Sequence, residues 1–232
     1  DSGGLDLLGL IVGSEGLLGV VTEVTVRLLK APETARALLV GFATSEEAGQ
    51  MVAEVVAAGI IPGGMEMMDR PAIKAAEDFL AVGYPMDAEA LLIVELDGPP
   101  VEVDHLIDEV EAIARANGAT SLKVSTTDAE RMAFWAGRKA AFPAVGRISP
   151  DYYCMDGTIP RKALPEVLAG MRALSEKYGL ACANVFHAGD GNLHPLILYD
   201  ANKPGELQAA EDFGSDILRL CVKVGGVLTG EH

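Results

Sequence analysis

Two of the protein's four histidines lie seven positions apart, in Phe186-His187-Ala188-Gly189-Asp190-Gly191-Asn192-Leu193-His194-Pro195. Apolar residues lead in, over 180–186, and out, over 196–199, with two glycines and an Asp-Gly pair between the histidines. This pattern predicts strand, tight turn, strand. If the turn folds the two arms together, both imidazoles converge on one point, and neutral imidazole is a common metal ligand. The same residues also read as ordinary polar flanks of a turn, because no general rule of metal spacing asks for six intervening residues. Glu231-His232, after a glycine-rich turn, adds a third oxygen or nitrogen donor and weighs towards the metal reading.

Other residues carry chemistry less specifically. Arg138 is one turn from Phe134 on a predicted helix and reads either as a surface charge or as a group that holds a carboxylate through two parallel hydrogen bonds. Asp156 lies in a run of large side chains, so a half-buried carboxylate is expected there, as a structural acceptor or as support for a metal ligand. Gly13, Gly16 and Gly19 stand among apolar residues at three-residue spacing, a backbone that can approach a ligand closely. Their spacing is not the Gly-x-Gly-x-x-Gly of a dinucleotide fold, and a plain turn explains them equally well. Trp135, the single tryptophan, reads as packing, and His105 as solvated surface.

Composition bounds the function. Of 232 residues half are apolar, enough for a sizeable core. With 18 Lys and Arg against 34 Asp and Glu, the formal net charge is −16, which repels phosphate backbones and argues against nucleic acid as a partner. No run of about 18 or more uninterrupted apolar residues suggests a membrane span. Cys154, Cys182 and Cys221 form no Cys-x-x-Cys pair; reduced thiols are expected, in a cytoplasmic protein, and a four-thiolate iron–sulfur cluster is disfavoured. The chain opens on Asp1 and closes on His232 directly after Gly-Gly and Thr-Gly turns, which reads as a piece of a longer protein.

The elements that must position these residues follow from periodicity. Residues 20–29 alternate as a half-buried strand. Beyond a boundary at Ala31-Pro32-Glu33, strands are expected at 37–42, 65–68, 90–96, 121–125 and 152–160. Helices are expected at 45–58, 70–82, 103–117, 128–144, 162–178 and 205–224. The strand–helix–strand rhythm in two halves predicts an α+β, ferredoxin-like antiparallel sheet with helices on one face.

Several of these stretches resemble a known family. Gly13-Ser14-Glu15-Gly16-Leu17-Leu18-Gly19-Val20-Val21-Thr22 is similar to the end of the flavin domain in FAD-linked oxidases of the vanillyl-alcohol oxidase type, which usually carry Thr at the position of Leu17. Residues 60–69, 152–160, 184–194 and 226–232 resemble the C-terminal cap domain of FAD-linked 2-hydroxy-acid oxidoreductases, most of all the glycolate oxidase FAD-linked subunits. The resemblance implies two parts. Residues 1–31 would end an FAD-binding domain, and 32–232 would form the cap domain, cut short at its C-terminus. It implies FAD contacts at Glu15, Gly16, Leu17, Leu18, Gly19, Val20 and Val21. A divalent metal (zinc, manganese or iron) would be held by His187, His194 and Glu231, with His232 as the base and Arg138 on the substrate carboxylate.

Some relatives carry Lys where this chain has Cys154, so a second carboxylate contact is in doubt and a small monocarboxylic 2-hydroxy acid, glycolate or D-lactate, fits better. Partner subunits, one with iron–sulfur centres, are also implied, with a location in the cytoplasm or peripheral to the inner membrane. A different class of function stays open beside this, a ferredoxin-like metal-binding or interaction module with no catalysis of its own.

Overall fold

Residues 37–42 and 90–96 are apolar at nearly every position rather than at alternate ones. A strand of that kind needs cover on both faces, and the computed structural model provides it. The structure describes residues 4–14 and 16–229. Its first half runs α1 (Leu7–Ile11), β1 (Thr34–Phe42), α2 (Ser45–Ala57), β2 (Gly64–Asp69), α3 (Arg70–Leu80), β3 (Ala90–Gly98), α4 (Pro100–Ala116), β4 (Ser121–Val124) and α5 (Asp128–Val145). The second half runs β5 (Asp151–Cys154), β6 (Asp156–Thr158), α6 (Leu164–Tyr178), β7 (Cys182–Phe186), β8 (Asn192–Leu193), β9 (Pro195–Tyr199), α7 (Glu206–Lys223) and β10 (Val227–Thr229).

Seven strands form one antiparallel sheet in the order β4-β1-β3-β2-β7-β9-β5. The first four have the β4-β1-β3-β2 order of a ferredoxin-like unit, and the second half extends the sheet from β2. Helices cover both faces rather than the single face expected. Leu38, Val40 and Phe42 of β1 and Leu92, Val94 and Leu96 of β3 pack towards α2, α4, α6 and α7. Ala37, Leu39, Leu91 and Ile93 point the other way, towards α3 and α5. Each fully buried Leu, Ile or Phe contributes roughly 1.5–3 kcal/mol. Local signals set the helix ends. Thr44 and Glu47 form a reciprocal capping box at the start of α2, with Thr44 accepting from the Glu47 amide at 3.2 Å and Glu47 from the Thr44 amide at 3.0 Å. No helix among the described residues is long and apolar enough to cross a membrane.

Two expected strands come out differently. Residues 20–29 form no strand and are exposed, Val20 at 86%. Alternation supplies an apolar face but no partner for the backbone, and among the described residues no strand pairs with this stretch. The strand expected over 152–160 divides at Met155. β5 pairs with β9 in the large sheet, while β6 joins β8 and β10 in a second, three-stranded sheet. Met155 is buried in the core on the α6–α7 side, so the chain turns about it from one sheet to the other.

The histidine hairpin closes as expected. β7 and β9 pair with Ala183 opposite Leu196, and the His187 and Asn192 backbones exchange hydrogen bonds at 3.1 and 3.2 Å across the turn. Gly191 has φ +77°, and a Cβ there would lie 2.3 Å from the Ile159 carbonyl oxygen. Glycine is thus required twice over, by conformation and by space. Gly191→Ala should therefore destabilise the protein by clearly more than about 1 kcal/mol. Gly59→Ala has a similar φ of +82° but open space around the Cβ, and should cost less. Urea midpoints of the two variants check this; equal losses would contradict the close approach.

Candidate functional site

The turn at 187–194 places its two imidazoles against each other, ring centroids 4.9 Å apart and nearly perpendicular. His187 follows β7 directly, and His194 lies between β8 and β9, where the chain passes from the small sheet to the large one. Each ring is held by a carboxylate through Nδ1. His187 Nδ1 lies 2.8 Å from Glu66 Oε1, and His194 Nδ1 lies 2.5 Å from Asp156 Oδ1. A carboxylate only accepts, so each Nδ1 carries the proton, and in the neutral imidazole Nε2 is the nitrogen with a lone pair to give. Carboxylates that fix imidazole tautomer and orientation in this way are the usual support of metal-binding histidines. The donor chemistry of the site therefore fits a divalent cation.

Glu66 has a second partner. Arg138 Nε donates to Glu66 Oε2 at 2.9 Å, and Nη2 lies 2.8 Å from the same oxygen in an ion pair, with both side chains nearly buried. Removing one member of such a pair costs roughly 3–5 kcal/mol, because the other charge is left buried. The helix carrying Arg138 is pinned over the site. Gly137 has no Cβ, so the Tyr84 ring lies against α5 and its hydroxyl donates to the Phe134 carbonyl at 2.5 Å. Trp135 does more than pack, since Nε1 donates to Glu95 Oε2 at 2.6 Å. One turn beyond Arg138, Phe142 meets the His194 ring edge-on with centroids 6.2 Å apart.

Of the residues singled out in the sequence, His187, His194 and Arg138 come together here. Asp156 joins them as the carboxylate of His194, and Glu66 joins them without having been assigned a role. Its signal is an acid flanked on both sides by methionines in β2, a position that a carboxylate tolerates only with a partner. Gly16, Leu17, Leu18, Gly19, Val20 and Val21 are exposed and lie outside the sheet. Gly13 and Gly16 adopt φ of +79° and +77° with nothing within 4 Å of a would-be Cβ, so that turn is open, as a ligand-facing loop requires. Glu15, Glu231 and His232 lie outside the described residues. No disulfide joins the three cysteines; Cys221 is buried and Cys154 and Cys182 are half-buried. His105 is exposed on α4, as expected.

The family is decided by comparison with known proteins. The family model described as "FAD linked oxidases, C-terminal domain" matches residues 31–232. The chain belongs to this family. It is 61% identical to the Escherichia coli (strain K12) glycolate oxidase subunit GlcD over its full 232 residues, which make up 46% of that protein. It is 36% identical to the Bacillus subtilis (strain 168) GlcD, again over its whole length and 49% of the relative. A probable mitochondrial D-lactate dehydrogenase of Danio rerio is 28% identical over 99% of the chain and 46% of the relative. This FAD-linked oxidase chain thus spans about half the length of the curated relatives it matches. Among solved structures, alkyldihydroxyacetonephosphate synthase aligns with TM-score 0.66 at 18% identity, covering 97% of this chain and 45% of that one. The 4-ethylphenol oxidase of Gulosibacter chungangensis aligns with TM-score 0.64 at 13% identity, covering 89% and 47%. At those identities the likeness establishes the fold alone.

A separate cavity of about 410 Å³ opens between α2, α6 and the far end of β2, lined in part by Thr44, Asp69, Arg172 and Asn184. Burial pushes the Asp69 carboxyl up from 3.8 to about 7, against hydrogen bonds from Asn184 Nδ2 at 2.7 Å and the Ala72 amide at 3.3 Å. In the window between those values the folded state holds a proton that the unfolded state has released. Stability should therefore fall as pH rises from about 4 to about 7. Urea midpoints across that range, parent beside Asp69→Asn, test this. The parent should lose stability relative to the variant through the window, and parallel curves would contradict it.

Proposed function

We propose that this chain is the substrate- and metal-binding part of an FAD-dependent enzyme that oxidises a small 2-hydroxy acid, glycolate or D-lactate, to the 2-oxo acid. The observation that carries the proposal is the pair of imidazoles fixed through Nδ1 by Glu66 and Asp156. The 61% identity to the E. coli glycolate oxidase subunit supports it, and the similarity to D-lactate dehydrogenases supports the wider substrate class. In this reading residues 1–31 end the flavin domain and 32–232 form the cap.

Oxidising a 2-hydroxy acid requires three things of the protein: the carboxylate must be held, the hydroxyl proton removed and the carbon placed against a hydride acceptor. His187 and His194 offer Nε2 to a divalent cation, with Glu231 as third donor; Thr229, two residues before Glu231, pairs with Asp156. A zinc, manganese or iron ion, when bound, supplies a Lewis acid for the hydroxyl and carboxylate oxygens. His232 takes the hydroxyl proton as base. Arg138 sets a positive charge beside the site, and Glu66 fixes its direction, so the guanidinium meets the substrate carboxylate already oriented. FAD, when bound, is the hydride acceptor, with Glu15, Gly16, Leu17, Leu18, Gly19, Val20 and Val21 as its contacts on this chain. Partner subunits, one with iron–sulfur centres, would take up the electrons, in the cytoplasm or at the inner-membrane surface. The word "subunit" in the E. coli relative's name supports partners of some kind.

Metal content by mass spectrometry and dye reduction by glycolate and D-lactate test the proposal on the flavin-loaded holoenzyme. The parent should hold about one divalent ion per chain and reduce dye, and His187→Ala/His194→Ala should lose both properties. A double variant that keeps its metal, or a parent holoenzyme that oxidises no 2-hydroxy acid, would contradict it.

A further inference from the structure

We infer that Asn192 is a substrate contact, its side-chain oxygen accepting a hydrogen bond from the 2-hydroxyl group and so telling a 2-hydroxy acid from its 2-oxo product. The contact rests on the substrate reading above and adds to it a residue with no assigned role. Register puts Asn192 in the site. It forms an antiparallel bridge with His187, each backbone donating to the other, and on its far side it stands opposite Thr158 of β6. Residues opposite each other across a ladder share a face, and so do residues two apart along a strand. Asn192 therefore shares a face with His187 beside it and with His194 two residues on. Leu193, between Asn192 and His194, packs into the core on the other face.

Asn192 is 8% exposed, and its buried Oδ1 has no hydrogen-bond donor. Among the described residues one other buried side-chain polar atom is in that condition, Glu46 Oε1, and it lies 2.5 Å from Arg172 Nη2 in an ion pair. Asn192 Oδ1 has given up water and gained no bond, a costly state for an acceptor. What it lacks is one O–H or N–H. The neighbouring imidazoles do not supply it, since each turns its Nδ1 proton to a carboxylate. On a small 2-hydroxy acid the carboxylate only accepts, and the hydroxyl is the one donor. Its oxygen stays free for the cation while its hydrogen goes to Oδ1, until the base removes that proton. The row of side chains opens at His187, which is 38% exposed, so a small ligand reaches Asn192 from that side. Oxidation turns the hydroxyl into a carbonyl with no hydrogen to give. The product then meets Oδ1 with an acceptor, which weakens its hold on the site and favours its release.

Calorimetry on the metal- and flavin-loaded holoenzyme, reduced under anaerobic conditions so that no hydride leaves the ligand, tests this. Glycolate and D-lactate are each compared with the acid that lacks the hydroxyl, acetate or propionate. They are also compared with their O-methyl ethers, which keep the oxygen and lack its hydrogen. The parent should bind the 2-hydroxy acid about tenfold or more tighter than either analogue. Asn192→Ala should keep its metal while the preference for the hydroxyl falls about tenfold. Asn192→Asp keeps an acceptor oxygen at the same place and should keep the preference. An unchanged preference in Asn192→Ala overturns the inference and leaves the histidine site standing. So does a loss in Asn192→Asp as large as that in Asn192→Ala. A parent that binds the O-methyl ethers as tightly as the 2-hydroxy acids overturns it too, without any variant having to fold. A parent that binds no 2-hydroxy acid overturns both the contact and the substrate reading on which it rests.

Discussion

Glu66 and Asp156 are carboxylates buried between a sheet and a helix, where an ionised group is tolerated only with well-placed partners. Each solves that problem with an imidazole, and Glu66 with a guanidinium as well. The solution has a chemical consequence. Tying down Nδ1 turns both Nε2 atoms into oriented donors, so the demand for buried-charge compensation and the construction of a ligand site are one arrangement. It also explains why α5 must lie where it does. Gly137 against Tyr84 and Trp135 on Glu95 seat α5 where Arg138 reaches Glu66.

The second requirement is a change of sheet. The antiparallel β5–β9 register, with Cys154 opposite Leu196, already brings the Met155–Asp156 corner alongside His194. Two crossings, at Met155 and at His194, bring the small sheet up against the end of the large one. Gly191 allows the turn between the histidines to press on the Ile159 carbonyl, while the Ile159 amide donates back to Gly191 at 2.9 Å. The site is thus held by backbone bonds on one side and by α5 on the other, which is the kind of support a rigid ligand site needs.

Much of this could be read from residue order. Helices with clear stops, such as α6 before Gly179 and α4 before Gly118, fall close to their expected spans, because cap chemistry is local. The hairpin was legible for the same reason: Asp-Gly between apolar arms admits few other conformations. What escaped was non-local. The strand at 152–160 has unbroken β character, and nothing within it says that its two ends pair with different partners. Residues 20–29 have a strand's alternation without a paired neighbour among the described residues, and alternation alone forms no ladder. Helices on both faces were implied by the unbroken apolar runs of β1 and β3, a clue that the strand–helix rhythm outweighed. Glu66 stood in plain view inside an apolar strand, but its partners lie 72 and 121 residues away, a separation that no spacing rule reaches.

Carboxylates hold both histidines through Nδ1 and so present Nε2. Long-range nitrogen–proton correlation spectra of the histidine side chains, recorded before and after adding zinc, address it directly. His187 and His194 should both be Nδ1–H tautomers, and zinc should shift their Nε2 resonances together while Nδ1 keeps its proton. An Nε2–H tautomer in either ring, or zinc-induced shifts at Nδ1, would contradict it.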